Sequence, residues 1–330
     1  IIWNWIYNWS SKRIPTIKLI SVAGITISSP DIGMGHLVRT TQLLTSLDPR
    51  YFKFKIFGQI ESIPSWLDNF DYEKINFEEI DLNIINNYDL VVFDSYWNRN
   101  LLNKISTKKL IIDDLNYLGE SDSDIILDYN FGSKKALYNE NKQLLVGPEF
   151  FPISKNSFPE FITNKEYIYN DSYPILLSFG GVSDESLIDI KKEIKFFKNF
   201  GDVYLMDPLN KLEKYENKVK KRIINKSLSE VFSSENIKFC KVAGGTSKYI
   251  ALAHKIPFLY VYRNDVEKLL IDKMLNQNLT IKDSKLENLH KLNKVEEEMN
   301  ILSEKYGSFF RSVDESLINK FLIDYLSVAI

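Results

Sequence analysis

Cysteine and histidine are scarce in this chain. Its 330 residues include one cysteine, Cys240, and three widely separated histidines, His36, His254 and His290. A single thiol excludes an internal disulfide framework and a site with several thiolate ligands, and the histidine spacing is not that of a His-rich metal site. We therefore expect no metal ion and no other cofactor. Cys240 is predicted to be an inert core thiol, His254 to end a helix and His290 to lie at the surface.

Long apolar runs and an excess of one charge are also absent. No segment approaches the ~20 apolar residues that span a bilayer, and the N-terminal residues are a poor fit to a secretory signal. The formal net charge of -2 gives no general attraction to nucleic acids or anionic membranes, so any anion-binding site has to be local. With 44% hydrophobic and 26% charged residues, we expect a soluble, cytoplasmic protein that binds no nucleic acid.

The length suffices for two domains of ordinary size. Apolar runs give way to prolines and polar residues near the middle of the chain, which is typical of a boundary between two lobes. The predicted divisions are an aromatic N-terminal extension at 1–16, a first lobe at 17–150, a linker at 151–172, a second lobe at 173–288 and a helical tail at 289–330. Aromatic residues in the extension recur with a period of two, which indicates an edge strand or a peptide that packs on a neighbour.

Both lobes alternate short apolar segments with helical patterns. The predicted strands are 17–27, 52–58, 88–94, 110–114, 124–128, 173–179, 203–206, 239–243 and 257–262. The predicted helices are 37–47, 62–70, 81–87, 185–200, 227–233, a segment ending at 255, 265–276 and two more in the tail. This alternation favours parallel sheets covered by helices, in which ligands bind beyond the carboxyl ends of the strands. We predict a two-lobed α/β enzyme with its ligand in the cleft between the sheets.

Several acidic side chains fall at the carboxyl ends of predicted strands in the first lobe. They are Asp94, Asp113, Asp114 and Asp128. Carboxylates at this edge of a parallel sheet are candidates for ligand binding. The alternative is that each one caps the next helix or stabilises a turn, and for any single residue we favour this simpler role.

The segment SSPDIGMGHLVR at 28–39 lies between the first predicted strand and the first predicted helix. Gly33 and Gly35 let the backbone approach a ligand or take a positive φ, and a helix start offers unpaired N–H groups to an anion. His36 and Arg39 share roughly one face of the helix. The positive end of the helix dipole favours a neutral imidazole, the form that a general base needs. These features predict a site for a phosphorylated substrate with His36 as its base, and a histidine that only caps the turn is the alternative.

Two glycine turns in the second lobe also lie between a predicted strand and a predicted helix. They contain Gly180 and Gly181 in one turn and Gly244, Gly245, Thr246 and Ser247 in the other. Their N–H groups and hydroxyls are suited to a diphosphate. Neither turn matches the dinucleotide fingerprint or the P-loop, and glycine also serves tight turns that bind nothing, so the spacing leaves both interpretations open.

Together these motifs resemble a known family. The run IGMGHLVR at 32–39 resembles the IGxGHxxR turn of the UDP-sugar hydrolase of pseudaminic acid synthesis. That enzyme acts on UDP-2,4-diacetamido-2,4,6-trideoxy-β-L-altropyranose and belongs to the GT-B-like group related to the lipid II N-acetylglucosaminyltransferase. The likeness covers about residues 17–275 in the same order. Its further parts are DSY at 94–96, IIDD at 111–114, DIILDYN at 124–130, LLVGPEFFPI at 144–153, ILLSFGGVSD at 175–184 and AGGTSKYIALAHKIP at 243–257.

The resemblance implies a GT-B-like fold of two Rossmann-like lobes and hydrolysis of a UDP-sugar to UDP and the free sugar. It implies that His36 is catalytic and activates the water that attacks the anomeric carbon. It further implies that the glycine turns of the second lobe bind UDP and that Asp94 and Tyr96 lie on the sugar side. The full set of implied substrate-binding residues is Gly33, Gly35, Arg39, Asp94, Tyr96, Gly180, Gly181, Gly244, Gly245, Thr246 and Ser247.

The chain departs from the family's pattern at a few positions. Ile250 stands where the family usually has an acid that can hold the ribose, and Ser154 stands where an arginine is common. Ile25 and Ile27 replace polar residues of the first strand. Two alternatives to the hydrolase follow. One is a GT-B glycosyltransferase that passes the sugar to an acceptor, and the other is an inactive relative that binds a sugar nucleotide without turnover.

Overall fold

We describe the fold from a computed structural model. It describes residues 19–152, 174–180, 189–280, 301 and 315–327, except 30, 68, 118, 120, 121, 238 and 263. The predicted N-terminal extension, most of the predicted linker and much of the predicted tail lie outside these ranges, as do Gly181, Ser154 and His290.

The first lobe contains a seven-stranded sheet. Its strands are β1 (Ile20–Ser28), β2 (Phe52–Ile60), β3 (Tyr72–Lys74), β4 (Leu90–Asp94), β5 (Lys108–Ile112), β6 (Ile125–Asp128) and β7 (Gln143–Val146), and its helices are α1 (Gly35–Ser46) and α2 (Leu82–Ile85). The strand order is β3-β2-β1-β4-β5-β6-β7, and all neighbouring strands are parallel. Every side chain of β4 is buried, as expected for a central strand covered on both faces.

The second lobe contains a five-stranded parallel sheet. Its strands are β8 (Pro174–Ser178), β9 (Asp202–Met206), β10 (Lys221–Ile223), β11 (Phe239–Ala243) and β12 (Phe258–Val261), in the order β10-β9-β8-β11-β12. The α-helices that the described residues form after β8 are α3 (Ile190–Phe197), α4 (Leu228–Ser234), α5 (Ser247–Ala253), α6 (Asp265–Asn276) and α7 (Glu315–Ser327).

Local sequence signals explain several helix ends. Ser227 and Glu230 form the capping box predicted at the start of α4, with each side chain accepting a backbone N–H bond. Asn264 caps α6 by accepting from the Glu267 N–H. His254 is the C-cap residue of α5, which confirms that it ends a helix.

Helix α7 returns from the C-terminal part of the chain to the first lobe. Asn319 accepts a 2.7 Å hydrogen bond from the Asp48 N–H and donates a 2.9 Å bond to the Ser46 carbonyl. One bond satisfies the carbonyl of the last residue of α1, which has no partner within the helix, and the other satisfies a backbone N–H just after it. The tail therefore contributes to the packing of the first lobe.

The predicted fold class is confirmed, and the differences concern short elements. The sequence patterns did not predict β3, β7 and β10, because β3 and β10 have only three residues and β7 begins with the exposed Gln143. The prediction of a helix at 62–70 is wrong. A single 3₁₀ turn forms there at Ser65–Leu67, directly after Pro64, because proline cannot continue a helix that starts before it. Of the helix predicted at 185–200, residues 190–197 form α3, and 185–188 lie outside the described residues.

Candidate functional site

The glycine turn before α1 meets a glycine turn of the second lobe. Gly33 has a φ of +84° and donates a 2.7 Å hydrogen bond to the Ser29 carbonyl, which closes the turn. The Met34 N–H donates across the cleft to the Gly180 carbonyl at 3.2 Å, and Gly180 also has a positive φ, of +74°. The first and second lobes therefore approach each other at two of the predicted turns.

His36 is held by a carboxylate of the neighbouring strand. Its Nδ1 atom lies 2.6 Å from Asp94 Oδ1, and because an ionised carboxylate can only accept, the proton belongs on Nδ1. Arg39 Nη2 is 3.2 Å from the same nitrogen, but it already donates to Asp94 Oδ1 at 2.6 Å. His36 Nε2 makes no hydrogen bond to the described residues and is therefore the nitrogen that can accept a proton.

Arg39 bridges two buried carboxylates. Its Nε and Nη2 atoms donate to Asp94 at 2.6 Å each, and Nη1 donates to Asp114 at 2.9 and 3.1 Å. Burial alone raises the pKa values of both carboxyl groups, but the charge and hydrogen bonds of Arg39, with those of His36 at Asp94, lower them below their usual range. Asp94 was expected on the sugar side of the cleft, but it is fully buried and contacts His36, Arg39 and Thr40.

Tyr96 completes this polar cluster. Its hydroxyl donates a short hydrogen bond to Asp114 Oδ2, and its ring lies edge-on to His36 with a centroid distance of 4.7 Å. Burial and the nearby Asp114 charge raise the pKa of Tyr96 well above its usual value, so the hydroxyl keeps its proton. It is therefore a donor at neutral pH.

The other strand-end acids serve turns, as the simpler interpretation proposed. Asp113 accepts from the Asn116 N–H at 3.1 Å and pairs with Arg99 at 3.0 Å. Asp128 accepts from the N–H groups of Leu115 and Asn130. Burial raises the pKa of Asp128 to about 7.

The second-lobe turn at 244–247 is fixed by a lysine that the sequence analysis did not single out. Lys248 Nζ donates to the carbonyl oxygens of Gly244 at 2.6 Å and Gly245 at 3.0 Å. Because each peptide unit is planar and trans, the N–H groups of Gly245 and Thr246 point away from this ammonium group. Lys248 is 1% exposed, and burial lowers its pKa to about 8.

Two cavities lie between the lobes. The larger has a volume of about 260 Å³, and the smaller has a volume of about 60 Å³ and contains the His36 and Arg39 side chains in its wall. The cavities adjoin, because Gly35, Gly245 and Thr246 line both of them. A side chain at Gly35 would extend into open space, since an added Cβ atom would meet nothing within 4 Å.

The structure gathers most of the predicted site residues around these cavities. Those that line one or both are Gly35, His36, Arg39, Tyr96, Gly180, Gly245, Thr246 and Ser247. Gly33 and Gly244 lie in the adjoining turns, and Gly181 lies outside the described residues. Cys240 is buried in β11, and burial raises the pKa of its thiol well above the usual value, as suits an inert thiol.

Within the described ranges, no group of three or more His, Cys, Asp or Glu side chains is placed to hold a metal ion. None of the helices in the same ranges is long and apolar enough to cross a membrane.

Comparison with known proteins identifies the fold. No family model matches the sequence, and no curated protein sequence matches it either.

Among solved structures, Acinetobacter baumannii MurG superposes with a TM-score of 0.60 at 8% identity, over 93% of this chain and 100% of that one. The chain is also similar to a putative UDP-N-acetylglucosamine 2-epimerase from Listeria monocytogenes, with a TM-score of 0.53 at 14% identity over 93% of this chain and 97% of that one. A third similar structure is Anabaena Alr3699/HepE in complex with UDP-glucose, with a TM-score of 0.51 at 9% identity over 94% and 100% of the two chains.

These similarities show a GT-B fold of two Rossmann-like lobes with a cleft between them, which confirms the predicted fold class.

Proposed function

We propose that this protein hydrolyses a UDP-linked sugar in the interlobe cleft, releasing UDP and the free sugar. The observation that carries the proposal is the arrangement of His36. Asp94 holds its Nδ1 atom, and the ring lines a cavity that is also lined by Gly245 and Thr246 of the second-lobe glycine turn. Among the proteins of similar fold, HepE was solved with UDP-glucose, which supports a sugar nucleotide as the ligand class. The sequence resemblance described above supports a diacetamido-trideoxy sugar as the substrate.

The two cavities suggest where each part of the substrate binds. The larger cavity has aromatic and aliphatic walls, including Trp66, Phe70 and Met206, which suit the uridine. The N–H groups of Gly245 and Thr246, with the Thr246 and Ser247 hydroxyls, are the donors for the diphosphate. The sugar then occupies the smaller, polar cavity beside His36 and Tyr96, and it has to enlarge that space on binding.

Ile250 lines the larger cavity, so it offers hydrocarbon where the resembling family has a carboxylate for the ribose. Another acceptor lies in the same wall. Gln42 of α1 has an Oε1 atom that is buried without a hydrogen-bond partner among the described residues. A buried acceptor without a donor is costly, and a ribose hydroxyl or the uracil N–H would satisfy it once the side chain turns toward the cavity.

The chemistry needs one base and one stabilised leaving group. His36 Nε2 takes a proton from water as the water oxygen forms a bond to the anomeric carbon. The bond between that carbon and the β-phosphate oxygen breaks, and its electron pair leaves with UDP, whose new charge is stabilised by the N–H donors of the glycine turn. His36 then returns its proton to solvent. Asp94 stabilises the imidazolium that forms in between.

The test is incubation of the purified protein with a panel of UDP-sugars while UDP is quantified. We expect UDP release without any acceptor, and in ¹⁸O-labelled water we expect the label in the free sugar and not in UDP. Release that requires an acceptor would show a glycosyltransferase instead. Tight UDP binding without release from any sugar of the panel would show an inactive relative.

A further inference from the structure

Tyr249 belongs to α5 of the second lobe and lines the smaller interlobe cavity, and its ring packs against aromatic residues that follow strands of the first lobe. It is 1% exposed. Its ring centroid lies 4.7 Å from Phe151, 5.5 Å from Tyr129 and 5.8 Å from Phe131, and the last pair is stacked with an interplanar angle of 9°. These three residues follow β6 and β7. The contact therefore anchors the helix that follows the 244–247 turn onto the opposite lobe.

The Tyr249 hydroxyl makes a hydrogen bond of defined direction with Asn130. Asn130 Nδ2 donates to two buried carboxyl groups, at 2.8 Å to Asp114 Oδ1 and 2.8 Å to Asp128 Oδ1, and the Asp113 carbonyl is a third, longer partner at 3.3 Å. Its Oδ1 atom must therefore accept, and Tyr249 donates to it at 2.8 Å. The flipped amide would place its carbonyl oxygen against the ionised Asp114 carboxylate, which has no proton to donate, so the observed orientation is favoured.

From Asn130 the hydrogen bonds continue without interruption to His36. Asp114 accepts from Arg39 Nη1 at 2.9 Å, Arg39 Nε donates to Asp94 at 2.6 Å, and Asp94 holds His36 Nδ1 at 2.6 Å. None of these residues is more than 7% exposed. In such a low-dielectric network each bond is strong, and losing one partner leaves a buried group unsatisfied.

We propose that Tyr249 is a positioning residue that fixes the second-lobe glycine turn relative to His36 through Asn130, Asp114 and Arg39. This inference rests on the proposed function, in which one lobe holds the diphosphate and the other holds the base. The attacking water has to lie within about 3–3.5 Å of the anomeric carbon, and a misplacement of about 1 Å can cost about 100-fold in rate. The described turns themselves share only the Met34–Gly180 backbone bond across the cleft.

The variant Tyr249→Phe keeps the ring and removes the hydroxyl. We expect kcat for UDP release to fall by about 10- to 100-fold, while KM and the dissociation constant of UDP stay nearly unchanged. The matched control is Tyr138→Phe. Its hydroxyl donates to Asp128 Oδ2 at 2.8 Å, and its hydrogen-bond partners among the described residues, Asp128 and Asn116, belong to the first lobe and lie outside the proposed route. This control should keep the wild-type kcat.

A double-mutant cycle separates the proposed route from a general loss of stability. If Tyr249 acts through Asn130, Tyr249→Phe combined with Asn130→Ala should lower kcat no further than Asn130→Ala alone. Additive losses would overturn the proposal. An equal loss of kcat and UDP affinity in Tyr249→Phe would overturn it too, because the residue would then act only on the nucleotide site.

A second readout does not depend on turnover. In protein labelled with ¹⁵N-histidine, the Nδ1 proton of His36 bonded to Asp94 should give a strongly downfield resonance. We expect that resonance to shift in Tyr249→Phe and to stay in place in Tyr138→Phe. An unchanged resonance in Tyr249→Phe would contradict the positioning role, even if the protein hydrolyses no UDP-sugar. A shifted resonance in a protein that hydrolyses no UDP-sugar would reject only the proposed function.

Discussion

Asp94 Oδ1 lies 2.6 Å from His36 Nδ1, and this contact decides which imidazole nitrogen can act as a base. The carboxylate keeps the proton on Nδ1 and leaves Nε2 as the acceptor. Arg39 donates to both Asp94 oxygens and so prevents the carboxylate from rotating. The bond from this fixed carboxylate to Nδ1 then holds the imidazole ring in one orientation. The same pairing of a histidine with a buried acid orients the general base in the Ser-His-Asp hydrolases.

Asp94→Asn tests this role. The amide nitrogen of asparagine donates to Nδ1 and so favours the tautomer with its proton on Nε2, which cannot accept a proton from water. We expect kcat to fall by about 10²- to 10⁴-fold with UDP affinity nearly unchanged. Steady-state UDP release and calorimetric UDP binding check this, with the fraction of folded protein measured by circular dichroism. A wild-type kcat would show that the carboxylate does not orient the base.

Arg39→Met tests the electrostatics behind the site. The change leaves two buried carboxylates, Asp94 and Asp114, without their counter-charge, which should lower the free energy of unfolding by about 3–5 kcal/mol at pH 7. Urea unfolding measures it. Arg50→Met is the control, because Arg50 is exposed and its ion pair with Asp48 lies at the surface, so the free energy of unfolding should change little.

The pH dependence of Arg39→Met follows from the pKa shifts. In the wild type the pKa values of Asp94 and Asp114 lie below the usual 3.8. The stabilisation that Arg39 gives by pairing with these two carboxylates is therefore present above about pH 4 and is lost as the pH falls. In the variant, burial raises both pKa values above that of the unfolded chain, so its stability falls as the pH rises from 4 to 7. The difference between variant and wild type should therefore be smaller at pH 5 than at pH 7. A constant difference would contradict this explanation.

The sequence predicted the parts of the site that are local. The strand before 28, the turn with positive φ at Gly33 and the helix that starts beside His36 follow from propensity and period within about 30 residues. The capping box at Ser227 is equally local. The acids at strand ends could be placed at the correct edge of the sheet because parallel strands all end there.

The partners of these residues could not be predicted, because they depend on distant segments. Arg39 and Asp114 are 75 positions apart, and Tyr249 and Asn130 are 119 positions apart. Nothing in the pattern around Lys248 shows that its ammonium group turns back onto two carbonyls, since a lysine in a short helix is usually solvated. Asp94 and Asp128 have the same local pattern, yet one orients His36 and the other stabilises a turn.

Gly35→Ala separates ligand binding from stability. An added Cβ atom would meet no neighbour within 4 Å, and alanine is the better helix former, so the free energy of unfolding should be unchanged or rise by up to about 1 kcal/mol. Because Gly35 lines both cavities, the added methyl group should crowd the proposed substrate, and we expect kcat/KM to fall by about 10- to 100-fold. Ser46→Ala, at the other end of α1, is the control and should keep kcat/KM. Unchanged kinetics in Gly35→Ala would place the substrate elsewhere.

Lys248→Met tests the orientation of the glycine turn. Without the ammonium group the Gly244 and Gly245 carbonyls lose a charged donor, and UDP should bind about 10-fold more weakly at pH 7.

In the wild type, UDP affinity should fall as the pH rises through about 8, where Lys248 loses its proton. This extra pH dependence should be absent in the variant. Lys241→Met is the control, because that ammonium group pairs with Glu193. Equal effects of the two substitutions on UDP binding would contradict a specific role for Lys248.

The rate of UDP release from a UDP-sugar, compared between the wild type and His36→Ala, tests the central proposal most directly. We expect the wild type to release UDP in the absence of an acceptor and the variant to be slower by about 10²- to 10⁴-fold, with a UDP dissociation constant close to that of the wild type. A His36→Ala protein that releases UDP at the wild-type rate would remove this histidine from the mechanism and contradict the proposal.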